Sequence, residues 1–231
     1  MRIWDINPGY LNDKSLLGEH RELHAIVSIL INKKKGYSNH PETLRWKGCG
    51  WALKQRHKLL KHEMLLRGFH DKTPVFTRSN KSKWPSIYID EPGNQYKLLT
   101  RKYTNKAQGR IPLPKNTQEL WAQHKYSVLA RDTNLYMSIG NSVAKTKKFE
   151  LFQELSAEFA NILKTKPLSG GIINALQHMW GHVSKYSYSL DKNINQQNAK
   201  SLLPAIQELT IKNNINYLVY STSLSELGAW I

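Results

Sequence analysis

Apolar positions in the first part of the chain recur at steps of three and four. Between Asn12 and Asn32 they fall at Leu16, Leu23, Ile26, Val27, Leu30 and Ile31, the spacing of a helix with one buried face. Asn12 or Asp13 supplies its N-cap. The helix is predicted to end before Lys33-Lys34-Lys35-Gly36, with the lysines suited to the negative end of its dipole and Gly36 to the cap. A second helical stretch is predicted from Pro41 to Gly68, with Trp51, Leu53, His57, Leu60, Met64 and Leu65 on its stripe and Gly48 and Gly50 dividing it. From Asp71 to Asn116 no helical period persists. Pro74, Pro85, Pro92, Pro112 and Pro114 punctuate this stretch, and Ser86 to Ile89 and Tyr96 to Leu99 read as short strands or extended pieces. The helical period returns over Thr117 to Arg131, Asn134 to Thr146, Phe149 to Lys164, Ile172 to Ser187 and Asn198 to Lys212. Residues 213–231 form a final helix or a packed extension. The predicted fold is mainly α. A first helical domain with irregular basic loops spans 1–110, a linker 111–116 contains Ile111-Pro112-Leu113-Pro114, and an all-helical domain spans 117–231.

Charge adds a partner to this outline. The 231 residues carry a formal net charge of +17, and residues 1–115 hold 23 Lys and Arg against 9 Asp and Glu. A polyanion is the natural counterpart of such a surface. The basic residues Arg78, Lys81, Lys83, Lys97, Arg101 and Lys102 interleave with Trp84, Tyr88, Tyr96 and Tyr103, a composition suited to a nucleic-acid channel. Cys49 is the sole cysteine, so no disulfide can form within the chain, as suits a reducing cytoplasm. Charged and polar residues interrupt every apolar run near the start, so neither a leader peptide nor a membrane span is expected. His57 and His62 lie five apart, off a common helix face. No His, Cys and Asp spacing along the chain reads as a metal site.

The N-terminus carries candidate chemistry. Met1-Arg2-Ile3-Trp4 opens directly in apolar residues, as a packed terminus does. Arg2 is bulky, and bulky second residues leave the initiator Met in place, so the α-amine falls to Met1. An α-amine is the least basic aliphatic amine of a protein, near pKa 8, and among cations it becomes a usable nucleophile at neutral pH. Lys33, Lys34 and Lys35 read either as a solvated helix end or as phosphate contacts. Tyr37 and His40 read either as a packed loop or as groups that stack on a base or bond a phosphate.

Met1-Arg2-Ile3, then Glu19-His20-Arg21-Glu22-Leu23, Gly36-Tyr37-Ser38-Asn39-His40-Pro41, Arg56-His57-Lys58-Leu59-Leu60 and Leu65-Leu66-Arg67-Gly68-Phe69-His70 together resemble the pyrimidine-dimer DNA glycosylases of the phage endonuclease V type. The resemblance covers about residues 1–75. It implies that the Met1 amine attacks C1′ of a damaged nucleotide, that Glu22 relays protons, and that Arg21 binds phosphate or tunes the amine. It also places Arg2, His20, His24, Lys33, Lys34, Lys35, Tyr37, His40, Arg56 and Lys58 on the nucleic-acid face. The phage-type pattern has a further arginine where this chain has Ala25, and His20 or His24 would replace that cation.

The second half holds His124-Lys125-Tyr126, Tyr136-x-x-x-Gly140 and Leu176-Gln177-His178-x-x-Gly181. These resemble an uncharacterised all-helical family of the YbgA type, often fused to desulfidase modules that act on thiolated pyrimidines. His178 and His182, at i and i+4, share a helix face. The joint expectation is a cytoplasmic DNA-repair glycosylase with AP lyase activity, acting on double-stranded DNA with no metal, no organic cofactor and no obligate protein partner. An RNA-directed or modified-base glycosylase and a non-catalytic nucleic-acid-binding module are the alternatives.

Overall fold

A computed structural model describes residues 1–77, 79–147, 149–189 and 198–231; Arg78 lies outside the described residues. The helical expectation holds, and no β-strand occurs among the described residues. The first long helix, α1 (Asp13–Ile31), packs along α3 (Gly50–Leu66), with the short α2 (Pro41–Arg45) between them in sequence. The Asn12 side chain accepts from the Ser15 amide at 2.9 Å and caps α1 as predicted. The other end also stops before Lys33, as predicted, but not on Gly36. Asn32 is the C-cap, so Lys33, Lys34 and Lys35 stand beyond the helix and Gly36 plays no part in ending it. Gly68 does end α3. It sits at φ +81°, its N–H reaches the Leu65 carbonyl at 3.0 Å, and the Phe69 N–H reaches Met64 at 2.9 Å, the paired bonds of a Schellman cap.

The stretch expected to be extended contains a helix. Pro92 opens α4 (Pro92–Lys102), so Tyr96 to Leu99 is helical, and Ser86 to Ile89 forms no strand. Proline at a first helical position costs nothing, because its missing N–H would have had no partner there. Helix α4 packs on α7 (Phe152–Lys164). Helix α5 (Thr117–Leu129) touches α6 (Thr133–Lys145), α7 and α8 (Ser169–Val183), and α8 lies along α9 (Ala199–Lys212). The chain finishes in α10 (Asn216–Val219), α11 (Ser223–Glu226) and a 3-10 turn at Leu227–Ala229.

Two apolar clusters fill the interior, and α5 is their common wall. Leu120 and Val128 join Ile3, Ile6, Leu16, Leu23, Leu53 and Phe159 in the first. Tyr126 and Leu129, on another face of α5, join Leu176, Met179, Leu202 and Leu227 in the second. The first cluster draws on both sides of residues 111–116. Ile111 is fully buried within it, so this segment is part of the core and not a free spacer. Gly109 runs so close to the Gly9 and Tyr10 backbone that a Cβ would collide with it, and the Ile111 amide donates to the Gly9 carbonyl at 2.9 Å. Polar bonds cross the same boundary. The Tyr10 hydroxyl meets Gln123 at 2.8 Å and His124 at 2.9 Å, and burial pushes His124 down to about 3.

Candidate active site

Residues 1–11, irregular except for a 3-10 turn at Pro8–Tyr10, run against α1, α2 and α3 with no strand beside them. Their carbonyls need donors all the same, and three arginines supply them. Arg45 of α2 donates to the Ile3 carbonyl at 3.0 Å while it pairs with Asp5 at 2.9 Å and Glu42 at 2.7 Å. Arg56 of α3 donates to the Ile6 carbonyl at 2.9 Å and grips Glu19 of α1 at 2.7 and 3.0 Å. Arg67, just past α3, donates to the Leu11 carbonyl at 2.6 Å and to Gly9 at 3.1 Å. Gln95 of α4 completes the frame: it accepts from the Asp5 amide and donates to its carboxylate, both at 2.9 Å. A planar guanidinium with five donors suits this work, because one face can hold a carboxylate while another reaches a carbonyl.

This frame delivers the N-terminus to α1. The Arg2 backbone N–H donates to the Glu22 carboxylate, which sets Glu22 one residue from the Met1 amine. Met1 is partly buried against the first core. The Arg2 guanidinium lies over the Trp4 ring at 4.4 Å and pairs with Asp90 at 2.5 Å, so it is engaged within the protein. Arg21, next to Glu22, is exposed.

The remaining sequence candidates divide. Lys33, Lys34 and Lys35 are exposed at the end of α1. Tyr37 is 71% exposed, and its ring centroid is 6.3 Å from that of His40. His40 caps α2, its Nδ1 accepting from the Glu42 amide at 3.1 Å. Arg56, expected on the nucleic-acid face, is 2% exposed, with its donors spent on Glu19 and Ile6. It is a structural cation and no phosphate can reach it. Lys58 is exposed but lines a groove of about 1020 Å³ between α3, α9 and the Trp230–Ile231 terminus. None of Met1, Arg2 or Glu22 lines that groove.

His20 and His24 point elsewhere than the nucleotide-facing role expected of them. They meet His57 of α3 and Asp71 of the following loop, with one ligand-type atom from each of the four residues within 4.8 Å of the others. Sequence spacing relates His57 to His62, but the structure pairs His57 with His20 instead, with ring centroids 5.2 Å apart. The i, i+4 spacing of His20 and His24 is the one sequence signal of this cluster. Burial lowers both His20 and His57, the latter to about 4. Burial would raise Asp71, but hydrogen bonds from the Thr73 hydroxyl and amide hold it below its usual range.

Residues 1–77 match the family model described as pyrimidine dimer DNA glycosylase. The N-terminal segment is thus similar to a DNA glycosylase-type family. The glycosylase match takes in Met1, Arg21, Glu22, the three framing arginines and the histidine cluster. Residues 125–226 match a second family model, described as protein of unknown function (DUF1722). No curated protein and no solved structure matches the chain. No helix among the described residues is long and apolar enough to cross a membrane. The first matched segment is bonded to the second through the buried Glu63, which Ser225 meets at 2.6 Å and which Arg110, between the two segments, meets at 2.8 Å.

Proposed function

We propose that this protein is a DNA repair glycosylase with AP lyase activity whose nucleophile is the Met1 α-amine. The observation that supports the reading is the bond from the Arg2 amide to Glu22, which holds a carboxylate one residue from the terminal nitrogen. Duplex DNA binds through phosphates to exposed cations, Arg21 and Lys33, Lys34 and Lys35 among them, and Tyr37 offers an exposed aromatic face. The damaged nucleotide leaves the stack so that C1′ can be reached. The amine nitrogen attacks C1′, the glycosidic bond breaks and the base departs with its electron pair. Opening of the sugar then gives an imine between Met1 and C1′. Glu22 assists the opening and removes a C2′ proton, and the 3′-phosphate leaves in the β-elimination that cuts the strand. A modified base in place of a dimer is the second reading. Ala25 stands exposed on α1 where the phage-type pattern has an arginine.

Borohydride trapping on abasic and ultraviolet-irradiated duplex DNA tests the mechanism, with untagged protein beside a version extended at the N-terminus. A covalent adduct that forms only with the free terminus is the expected result, and the two substrates identify the lesion. No adduct on either DNA would overturn the lyase reading.

A further inference from the structure

His20, His24 and His57 bring three imidazoles and Asp71 brings one carboxylate to a single point between α1, α3 and the loop after Gly68. We infer that these four residues bind one divalent transition metal ion of the zinc class, as a closed site that pins the Phe69–Val75 loop to both helices. This goes beyond the glycosylase reading and does not depend on it, because Glu22 and the histidine pair leave α1 on opposite faces, about 180° apart around its axis.

The distances carry the inference. His20 Nε2 lies 3.2 Å from Asp71 Oδ1, and His57 Nε2 lies 3.2 Å from Asp71 Oδ2. A tetrahedron of ligands with bonds of about 2.0–2.1 Å has edges of about 3.3 Å, so these pairs already stand at the separation of two ligands on one ion. Neither approach is a hydrogen bond. Both Nε2 atoms are buried and without a hydrogen-bond partner, which leaves two orphaned ring nitrogens facing one carboxylate. A cation between them satisfies all of these groups at once. The three rings converge at centroid separations of 4.7, 5.0 and 5.2 Å, and no Lys or Arg forms an ion pair with Asp71 among the described residues.

The supporting shell is also present. The Thr73 amide donates to Asp71 Oδ1 at 2.9 Å. The Thr73 hydroxyl sits 2.5 Å from the same oxygen and 3.1 Å from His24 Nε2. Such outer partners orient metal ligands. A donor set of three nitrogens and one oxygen fits Zn²⁺, and Co²⁺ as its spectroscopic stand-in, better than the all-oxygen preference of Mg²⁺ or Ca²⁺. Four protein ligands leave no open position, which makes the role structural.

The test uses the untagged full chain, stripped with chelator and equilibrated with Zn²⁺ or Co²⁺. Elemental analysis should give one zinc per chain, Co²⁺ should develop the visible bands of a tetrahedral site, and zinc should raise the unfolding midpoint. His24→Ala, at a partly exposed position, should abolish stoichiometric loading. Thr73→Val, at an exposed position, should weaken affinity by about 10–100-fold. Folding of both variants is checked by circular dichroism without metal. Failure of the wild type to take up zinc or to show the cobalt spectrum would overturn the inference. So would stoichiometric binding that His24→Ala leaves unchanged.

Discussion

Replacing Glu63 with Gln should separate the buried charge clamp of this fold from its apolar core. Glu63 is fully buried. Arg67 reaches its Oε1 at 2.6 Å, Arg110 its Oε2 at 2.8 Å, and Ser225 donates to Oε2 at 2.6 Å. Burial alone would raise this carboxyl, but Arg110 and Arg67 overcome it and hold the group at about 2, against an ordinary 4.5. Its folded value lies below its unfolded value, so its contribution is fully present above about pH 4.5 and is lost as the pH falls toward 2. At 1.36 kcal/mol per unit the contribution is roughly 3 kcal/mol at neutral pH, of which about 2 is gone by pH 3. Glu63→Gln keeps the shape and leaves two guanidiniums facing an uncharged amide, so it should cost about 3–5 kcal/mol at pH 7. Urea unfolding of both proteins, followed by circular dichroism at pH 7 and pH 3, measures this directly. Every other titrating group is common to the two proteins, so the gap between them should narrow by about 2 kcal/mol at pH 3. An equal gap at both pH values, or a cost under about 1 kcal/mol at pH 7, would refute the clamp.

Glu22→Gln should lower strand cleavage by about 10²–10⁴-fold, the range for a positioned acid–base group, while DNA affinity by gel shift stays near that of the parent. Changing Lys33, Lys34 and Lys35 together to Ala should flatten the dependence of log affinity on log salt by about 0.9 for each phosphate no longer neutralised; an unchanged slope would show that these lysines touch no phosphate. Arg56→Met should destabilise the fold by about 3–5 kcal/mol in denaturant titrations, because Glu19 is left buried without its partner. The protein that remains folded should still bind DNA, and a selective loss of DNA binding would restore Arg56 to the interface.

What the sequence makes legible is local. The α1 stripe from Leu16 to Leu30, its Asn12 cap and the stop at Gly68 each depend on residues within a few positions, and each stands in the structure, whereas Ile31 at the end of the stripe is 52% exposed. Helix α4 escapes because Pro92 reads as punctuation, although Glu91-Pro92-Gly93 is also how a helix can begin. The two prolines of 111–116 suggest a free linker, but Ile111 and Leu113 between and before them pack into the core. Arg56 reads as a DNA contact because it stands in one of the stretches that carry the glycosylase resemblance. Its true partners are Glu19 and the Ile6 carbonyl, which no local window relates to it. The histidine cluster is hidden for the same reason: its ligands come from two helices and a loop, and only the His20–His24 spacing lies within reach of one helix.

The three arginines that hold residues 3–11 have a consequence for where the Met1 nitrogen can go. The first carbonyl they anchor is that of Ile3, and the three residues from the Met1 nitrogen to that carbonyl span at most about 10 Å even when fully extended. The nitrogen is therefore on a short leash, with no side-chain torsions to search and little room to stray. Confinement of that kind raises the local concentration of a reacting group without freezing it, and here the leash is fastened by guanidinium groups spread across two helices. Lengthening it by even one residue between Met1 and Ile3 would enlarge the volume the nitrogen explores while leaving every side chain of the fold in place.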